Sequence, residues 1–402
     1  MTLAKERPLE EAIASFRASG TLIPRLISIT FLARMRTLQG RLRTAVATYE
    51  EAAALMSKCN RLPDVGGNSA AYYAGLGEIY REWNDLDAAE RHLKHARDFI
   101  IGTLMVDANV VMHVYLCLAR LQQARGRGAE ARATLEEFAK LARRYDVFPL
   151  LVARAEAAQA RLALLQDDLP AAVSWAEASG LGTEDEPYYP FEEQYLTLVR
   201  TLIAQGRLDL AGSRLVSALY LLDRLFREAD AGGRIGSVIE VLALRALALQ
   251  TRHEYNEALA TLERSLVLAE PEGYVRVYLD EGRPMATLLS ELLQMRRKEP
   301  RDPHQHVVLG YAQRLLAAFE VPPDSGGNAL EKAHPPPEHL TAREGEVLAL
   351  IAKGLSKRQI AVMLFIEVGT VKGYVHSILR KLEVDSRTRA AARARELRLV
   401  SE

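Results

Sequence analysis

The sequence predicts an all-α protein with three parts: a helical-repeat body at residues 1–300, a terminal helix and linker at 301–338, and a small four-helix domain at 339–402. Three observations predict this organisation. Alanine recurs at a fixed distance after short breaks along the body, a proline- and glycine-rich stretch follows, and the last segment is dense in helix-start and helix-stop signals. A chain of 402 residues is also long enough for two or more structural units.

The repeats of the body follow six short breaks that contain a residue typical of turns. These breaks lie at Gly40, Asn84, Gly126, Asp167, Gly206 and His253. The residue five positions after each break is alanine, namely Ala45, Ala89, Ala131, Ala172, Ala211 and Ala258. Four positions further on, a mostly large apolar residue completes the i, i+4 spacing of a buried helix stripe. We therefore expect a right-handed solenoid of helix pairs over about residues 20–295.

The unit that runs from Leu76 and Gly77 through Asn84 and Ala89 to Leu93 resembles a tetratricopeptide repeat. The break-to-break distances of 39 to 47 residues exceed the usual length of about 34, so the helices should be longer. A solenoid of this kind has a concave surface suited to peptides, partner proteins or small ligands.

An aromatic cluster lies in the longest stretch between repeats. It consists of Tyr188, Tyr189, Pro190, Phe191 and Tyr195. Two interpretations remain open: these rings line a ligand pocket, or they close an interface between repeats, which is the more common use of aromatic side chains.

Charge separates the tail from the body, although the formal net charge of the chain is zero. From Leu340 to Glu402 there are 12 Lys and Arg against 7 Asp and Glu, so the preceding residues carry the compensating acidic excess. A polyanion-binding role is therefore expected in the tail.

No apolar run is long enough to span a bilayer and the N-terminus lacks a signal-peptide pattern, so we expect a cytoplasmic protein and no membrane partner.

The linker and the tail helices can be placed from local signals. Val321–Asn328 and His334–Glu338 are too rich in proline and glycine to be helical and should connect a last amphipathic helix, about 307–319, to the tail. Thr341–Glu344 and Ser356–Gln359 have the form of capping boxes, and Gly354 stands where a C′ glycine would end the first helix. These signals predict helices near 341–352 and 356–364.

The third tail helix, about 367–382, has two different faces. A core stripe is predicted at Val371, Val375, Ile378 and Leu382. The other stripe is polar or small and comprises Gly369, Lys372, Gly373, His376 and Arg380. Glycine within a helix is unfavourable by about 1 kcal/mol relative to alanine, so either a phosphate backbone approaches this face or it is an ordinary solvated face.

The tail resembles the LuxR-type helix-turn-helix domain almost from end to end. The resemblance rests on the run Leu340–Ser356, on Ile360-Ala361, Thr370-Val-Lys372 and Ile378–Leu382, and on Asp385–Thr388. The helical body and the segment Ala269–Gly282 are similar to the C-terminal half of the large ATP-binding LuxR regulators of the MalT type. No G-x-x-x-x-G-K-[ST] occurs here, so the chain is either part of a longer regulator or a form without the NTPase.

The resemblance implies roles for individual tail residues. Lys372 would be the main DNA-contacting side chain, with Gly373 and His376 facing base edges and Thr370 near phosphate. Arg380 and Lys381 of the same helix are assigned to DNA contact with them. Ser356, Lys357 and Arg358 suit phosphate anchoring because free amides and positive charge meet at a helix start. The helix that begins near Ser386 would form the dimer contact.

Three departures from the family pattern affect DNA recognition. Glu367 stands where serine is usual, Tyr374 where histidine is frequent, and Gly373 offers no side chain for base readout. A polar N-cap at position 367 would be worth about 1 kcal/mol. These features predict relaxed or unusual sequence preference.

The leading hypothesis is a transcriptional regulator that binds double-stranded DNA as a homodimer. A small-molecule or protein effector on the solenoid would control it, and RNA polymerase is a further expected partner. The alternative is a protein-interaction scaffold with a degenerate DNA-binding tail, which Glu367 and Gly373 favour.

No enzyme activity, catalytic residue, cofactor or metal site is expected. His304 and His306 lack ligand partners at metal spacing, and Cys59 and Cys117 have no metal-type spacing.

Overall fold

The computed structural model describes residues 6–56, 66–102, 107–144, 147–209, 212–296 and 303–320 of the body. In the tail it describes residues 347–348, 350–352, 355–356, 359–360, 375, 378, 384 and 389–390. The chain divides into two compact units, Met1–Asp324 and Ser325–Glu402. None of the described residues lies in a β-strand, and the all-α prediction is confirmed for them.

The described residues of the body form sixteen α-helices. They are α1 Arg7–Ala18, α2 Leu22–Leu38, α3 Leu42–Met56, α4 Gly66–Glu82, α5 Leu86–Gly102, α6 Ala108–Ala124, α7 Gly128–Arg144, α8 Pro149–Leu165, α9 Leu169–Ala178, α10 Glu192–Leu208, α11 Arg214–Ala231, α12 Ile235–Thr251, α13 Tyr255–Ala269, α14 Arg276–Leu279, α15 Gly282–Arg296 and α16 Pro303–Phe319. From α2 to α13 consecutive helices pack as pairs, an even-numbered helix with the odd-numbered helix that follows it. The last helix begins at Pro303, earlier than the 307 expected from its apolar pattern.

Five of the six predicted breaks are tight turns in which one residue is left-handed. Gly40 and Gly126 have φ of 76° and 74°, and Asn84, Asp167 and His253 have φ of 63°, 61° and 63°. At Asn84 the turn closes with a 2.9 Å bond from the Asp85 N–H to the Tyr80 carbonyl, the pattern that ends helices at left-handed residues.

The prediction of a sixth break at Gly206 is wrong. Gly206 is buried inside α10, which continues to Leu208. A Cβ built on Gly206 would lie 2.5 Å from the Leu215 side chain, so this glycine permits close helix packing. The same reason applies to Gly77, where a Cβ would lie 2.5 Å from Leu93. Glycine thus has two uses in this array, and sequence alone does not separate them.

The alanine stripe is buried where the structure describes it. Its members Ala45, Ala89, Ala131, Ala172 and Ala258 have no exposed surface, while Ala211 lies outside the described residues. At the positions four residues later, the large residues Tyr49, Leu93, Leu135, Leu215 and Leu262 are buried, and the small Ala176 is half-buried. The small residue lets the paired helices approach and the large one fills the space between them.

The segment between α13 and α15, residues 270–281, joins the end of the array to its beginning and is called the closing segment below. The Val275 N–H donates to the Glu82 carbonyl at 3.0 Å, and the Trp83 indole N–H donates to the Glu272 carbonyl at 2.8 Å. The Arg43 N–H donates to the Glu272 carboxylate at 2.9 Å. Residues about 190 positions apart in sequence are therefore held together, and the body closes on itself.

The tail unit has its own apolar core. Among its described residues the buried members are Val347, Leu348, Leu350, Ile351, Ile360, Val375, Ile378 and Ala390. Val375 and Ile378 belong to the predicted core stripe of the third helix, and both are helical and buried. Val371 and Leu382 of that stripe lie outside the described residues, as do Gly354 and the linker at 321–338.

Among the described residues, no helix is both long enough and apolar enough to cross a bilayer.

Candidate functional site: a charged cavity in the body

The body contains a partly open cavity of about 310 Å³. Its wall comes mainly from the first helix of each pair, α2, α4, α6, α8, α10 and α12, and from residues 274–281 of the closing segment. Because successive first helices face the same side, side chains at equivalent positions of each repeat meet in one space. The cavity is therefore a direct product of the repeat register.

Charged side chains recur in the wall at equivalent positions of the repeats. Six residues before Gly40, Asn84, Gly126, Asp167 and Gly206 stand Arg34, Glu78, Arg120, Arg161 and Arg200. Two helical turns earlier on the same helices stand His113, Arg154, Glu193 and, on α12, Glu240. All of these residues line the cavity. Sequence analysis missed this site because it followed only the apolar and alanine stripes, although the charged stripe has the same period.

Glu193 links two arginines on neighbouring helices. Its carboxylate accepts from Arg120 at 3.1 Å and from Arg154 at 3.2 Å. Burial alone would raise the pKa of the Glu193 carboxyl, but the two guanidinium groups outweigh it and lower that pKa to about 2. Glu193 is thus ionised at neutral pH and holds α6 and α8 together across one wall.

Glu281 forms the second charged centre. One of its oxygens accepts from Arg161 at 2.7 Å and from Arg200 at 2.8 Å, and Arg200 also contacts Glu240 at 2.6 Å. The Glu281 side chain is only 7% exposed. Burial would raise its pKa, but Arg161 and Arg200 lower it. The contact ties the closing segment to α8 and α10.

Arg34 differs from the other arginines of the wall. It is exposed within the cavity, and among the described residues it makes no hydrogen bond or ion pair. Tyr189 and Pro190 line the same cavity. A guanidinium without a hydrogen bond or ion pair, in a cavity that an aromatic ring also lines, is a suitable contact for an anionic or planar group.

Each of the two interpretations of the aromatic cluster applies to some of its residues. Tyr189 and Pro190 line the cavity, whereas Tyr195 is buried in the core and its hydroxyl donates to Asp185 at 3.2 Å. Phe191 packs against the same core, and Tyr188 is 64% exposed. One part of the cluster therefore faces the cavity and another part closes the repeat interface.

Glu82 is a buried carboxyl group at the end of α4, where this helix meets the closing segment. It accepts from the Val277 N–H at 2.9 Å, and its nearest cation, Arg81, is 3.5 Å away and already pairs with Asp280 at 2.8 Å. Burial raises the pKa of Glu82 to about 7, and Arg81 and the Val277 N–H compensate only in part. A carboxyl with a raised folded-state pKa favours folding below about pH 4.5, and that contribution is lost as pH rises through 7.

We therefore expect Glu82→Gln to gain stability over the wild type as pH rises from 5 to 8. Glutamine stays neutral and can still accept from the Val277 N–H, so the gain should be about 2 kcal/mol over this range. Urea unfolding at several pH values measures it. Glu136→Gln, at an exposed position of α7, is the matched control and should follow the wild type. If the difference in unfolding free energy between Glu82→Gln and wild type stayed constant across the pH range, the raised pKa of Glu82 would be contradicted.

The described part of the tail confirms the second capping box. The Ser356 N–H donates to the Gln359 side-chain oxygen at 2.8 Å, and the Gln359 N–H donates to the Ser356 hydroxyl at 3.3 Å. The first helical bond of this helix, from Ile360 N–H to the Ser356 carbonyl, measures 2.9 Å. The Leu355 N–H bonds to the Leu350 carbonyl at 3.1 Å, as expected if a glycine at 354 ends the preceding helix.

Of the DNA-contacting residues predicted from the sequence, the structure describes only Ser356, at the N-cap position of its helix. The others lie outside the described residues and stay predictions. They are Lys357, Arg358, Thr370, Lys372, Gly373, His376, Arg380 and Lys381. The side chains of His304 and His306 also lie outside the described set, as does Cys59.

Comparison with known proteins assigns both parts of the chain. Residues 4–295 match the family model of the MalT-like TPR region, which covers the whole cavity wall. The chain belongs to the MalT-like TPR family. Residues 338–394 match the model of bacterial regulatory proteins of the luxR family. A MalT-like repeat body is thus followed by a LuxR-type tail, as the resemblance in the sequence indicated.

Two kinds of curated relative illustrate the two parts. The transcriptional regulatory protein LiaR of Bacillus subtilis (strain 168) is 47% identical over 77 residues, which is 19% of this chain and 34% of LiaR. The HTH-type transcriptional regulator MalT of Klebsiella pneumoniae subsp. pneumoniae is 30% identical over 159 residues, 35% of this chain and 16% of MalT. The matched stretches therefore span about a third of one relative and about a sixth of the other.

Proposed function

We propose that this MalT-like chain is a DNA-binding transcriptional regulator whose tail binds duplex DNA and whose repeat body receives an effector. The observation that carries the proposal is the match of residues 338–394 to the luxR family of regulatory proteins. Its relatives LiaR and MalT are both named as transcriptional regulators. The Ser356–Gln359 capping box supports it because it builds the start of the second helix of a helix-turn-helix unit.

In this proposal the third tail helix, residues 367–382, enters the major groove. Lys372 makes the main base contact, with Gly373 and His376 close to base edges and Thr370 near phosphate. Ser356, Lys357 and Arg358 anchor the DNA backbone, and Arg380 and Lys381 add positive charge along the helix. Two copies bind as a dimer, so that half-sites lie about one helical turn apart.

The effector binds in the cavity of the body. Arg34, Tyr189 and the paired arginines provide cationic, aromatic and hydrogen-bonding groups in one cavity. The lining joins the first helices of the repeats to the closing segment, so an occupant contacts elements from both ends of the body. The proposal includes action in the cytoplasm and RNA polymerase as a partner on the promoter. It assigns the chain no catalytic activity.

Arg34→Ala tests effector control separately from DNA binding. Arg34 lies in the body and is unpaired among the described residues, so its loss should leave stability and DNA affinity unchanged. A reporter driven by a promoter that the wild-type chain regulates should lose most of its response to growth conditions. The measurements are reporter activity in cells and anisotropy of a labelled promoter fragment with purified chain.

The matched control is Arg143→Ala, which removes an exposed arginine from α7. Helix α7 is the second helix of its pair, whereas the charged residues of the cavity wall lie on the first helices. It should leave the reporter response unchanged. A normal response in the Arg34→Ala strain would contradict effector binding at this wall of the cavity.

A further inference from the structure

Three side chains with metal-ligating atoms meet on the wall between α4 and α6. Glu78 comes from α4, and His113 and Cys117 lie one turn apart on α6. The His113 Nε2 atom lies 3.4 Å from a Glu78 carboxylate oxygen, and the Cys117 Sγ atom lies 3.9 Å from the His113 ring nitrogens. The ligating atoms of all three residues lie within 4.8 Å of one another. One oxygen, one nitrogen and one sulfur atom therefore lie close together on this wall.

These separations suit a tetrahedral metal ion. Zinc binds carboxylate oxygen and imidazole nitrogen at about 2.0–2.2 Å and thiolate sulfur at about 2.3 Å, which places two ligand atoms roughly 3.3–3.6 Å apart. The 3.4 Å distance between nitrogen and oxygen is in this range. The 3.9 Å nitrogen–sulfur distance exceeds this range and the oxygen–sulfur distance is at most 4.8 Å, so the sulfur would have to move closer by side-chain rotation when an ion binds.

The charges of the three groups also suit a divalent ion. A carboxylate and a thiolate together balance two positive charges, and neutral imidazole completes the set. Arg120, which faces the same region, is already paired with Glu193 at 3.1 Å. Metal binding would displace the proton of the Cys117 thiol to solvent. His113 is the one ion-pair partner of Glu78 among the described residues.

We propose that Glu78, His113 and Cys117 bind one divalent transition-metal ion of the zinc type, with the fourth coordination position open to the cavity. Glu78 and His113 line the cavity, whereas Cys117 is buried and does not line it, so the free position is placed on the cavity side. Three protein ligands and one exchangeable position are typical of zinc sites that act on a ligand rather than hold a fold together. The inference does not depend on the DNA-binding function proposed above.

Cobalt(II) titration of the metal-free full chain tests the site, because thiolate bound to cobalt gives a charge-transfer absorption in the near ultraviolet. One equivalent should saturate this band, and one equivalent of zinc should abolish it. Cys117→Ser should remove the band. His113→Gln and Glu78→Gln should each weaken zinc binding by at least about 100-fold in competition with a chromophoric chelator, since one of three protein ligands is lost.

Cys59→Ser is the matched control, because Cys59 and Cys117 are the chain's two cysteines. It should keep the band and the zinc affinity. Far-ultraviolet circular dichroism establishes that each variant is folded, and the three ligand variants provide independent tests if one of them is not. A wild-type chain without the thiolate band at stoichiometric cobalt, or a band that disappears in Cys59→Ser and survives in Cys117→Ser, would overturn the proposal.

Discussion

Lys372→Ala is expected to lower the affinity of the full chain for its target duplex by about 10- to 100-fold. A side chain that reads a base edge in the major groove contributes about 1–3 kcal/mol of discrimination, and about 1.4 kcal/mol corresponds to tenfold in affinity. The loss should be much smaller on random DNA, because binding there depends mainly on phosphate charge. Gel-shift titration with target and random duplexes measures both effects.

Lys357→Ala and Arg358→Ala provide the contrast for this prediction. If these side chains anchor phosphates, each substitution should weaken binding to target and random duplexes alike. Each should also reduce the slope of log affinity against log salt by about 0.9. Undiminished target affinity in Lys372→Ala would contradict its assignment as the base-contacting residue, whatever the two anchoring variants do.

Glu281→Ala is expected to destabilise the body by about 3–5 kcal/mol. The substitution leaves Arg161 and Arg200 buried without their shared carboxylate, and removal of one partner of a buried ion pair has a cost of this size. The closing segment should also loosen, because Glu281 ties it to α8 and α10. Urea unfolding measures the stability, and amide exchange of the Val275 N–H, bonded to Glu82, measures the closure.

The matched control for Glu281→Ala is Glu136→Ala, which removes an exposed glutamate from α7 and should change stability by less than about 0.5 kcal/mol. Glu281→Gln distinguishes charge from packing. It keeps a hydrogen-bond acceptor for one arginine but loses the negative charge, so its effect should fall between those of wild type and alanine. Equal stability of Glu281→Ala and Glu136→Ala would contradict the structural role of this centre.

Much of the body could be predicted because its repeats carry a local signal. An alanine at a fixed distance from a turn residue identifies two packed helices, and five of the turn residues adopt the left-handed conformation that this position requires. Gly206 shows the limit of such a signal. Its role depends on Leu215, which lies on the next helix, so a contact between helices rather than local turn chemistry decides its conformation.

The closure of the body could not be predicted from periodicity. The bonds from Trp83 to Glu272 and from Val275 to Glu82 join residues far apart in sequence, and neither belongs to a repeating pattern. The segment Ala269–Gly282 was identified only through its family resemblance.

The cavity residues left a signal in the sequence, a charged residue six positions before four of the five turns and before Gly206, but a charged stripe on a helix usually faces solvent. Its burial became evident only when the helices were placed together. The Glu78, His113 and Cys117 cluster was missed for a related reason. Cysteine spacing was compared with motifs formed by cysteines and histidines close in sequence, whereas here a ligand comes from a separate helix. The i, i+4 spacing of His113 and Cys117 was the only sequence sign of the site.

Binding of the intact chain to specific duplex sites through its tail is tested most directly by immunoprecipitation of the chain from cells and sequencing of the recovered DNA, with wild type and Lys372→Ala compared. We predict discrete sites for the wild type that share paired half-sites about one helical turn apart, and loss of these sites in the variant. Uniform recovery across the genome, or the same sites in both strains, would contradict the account.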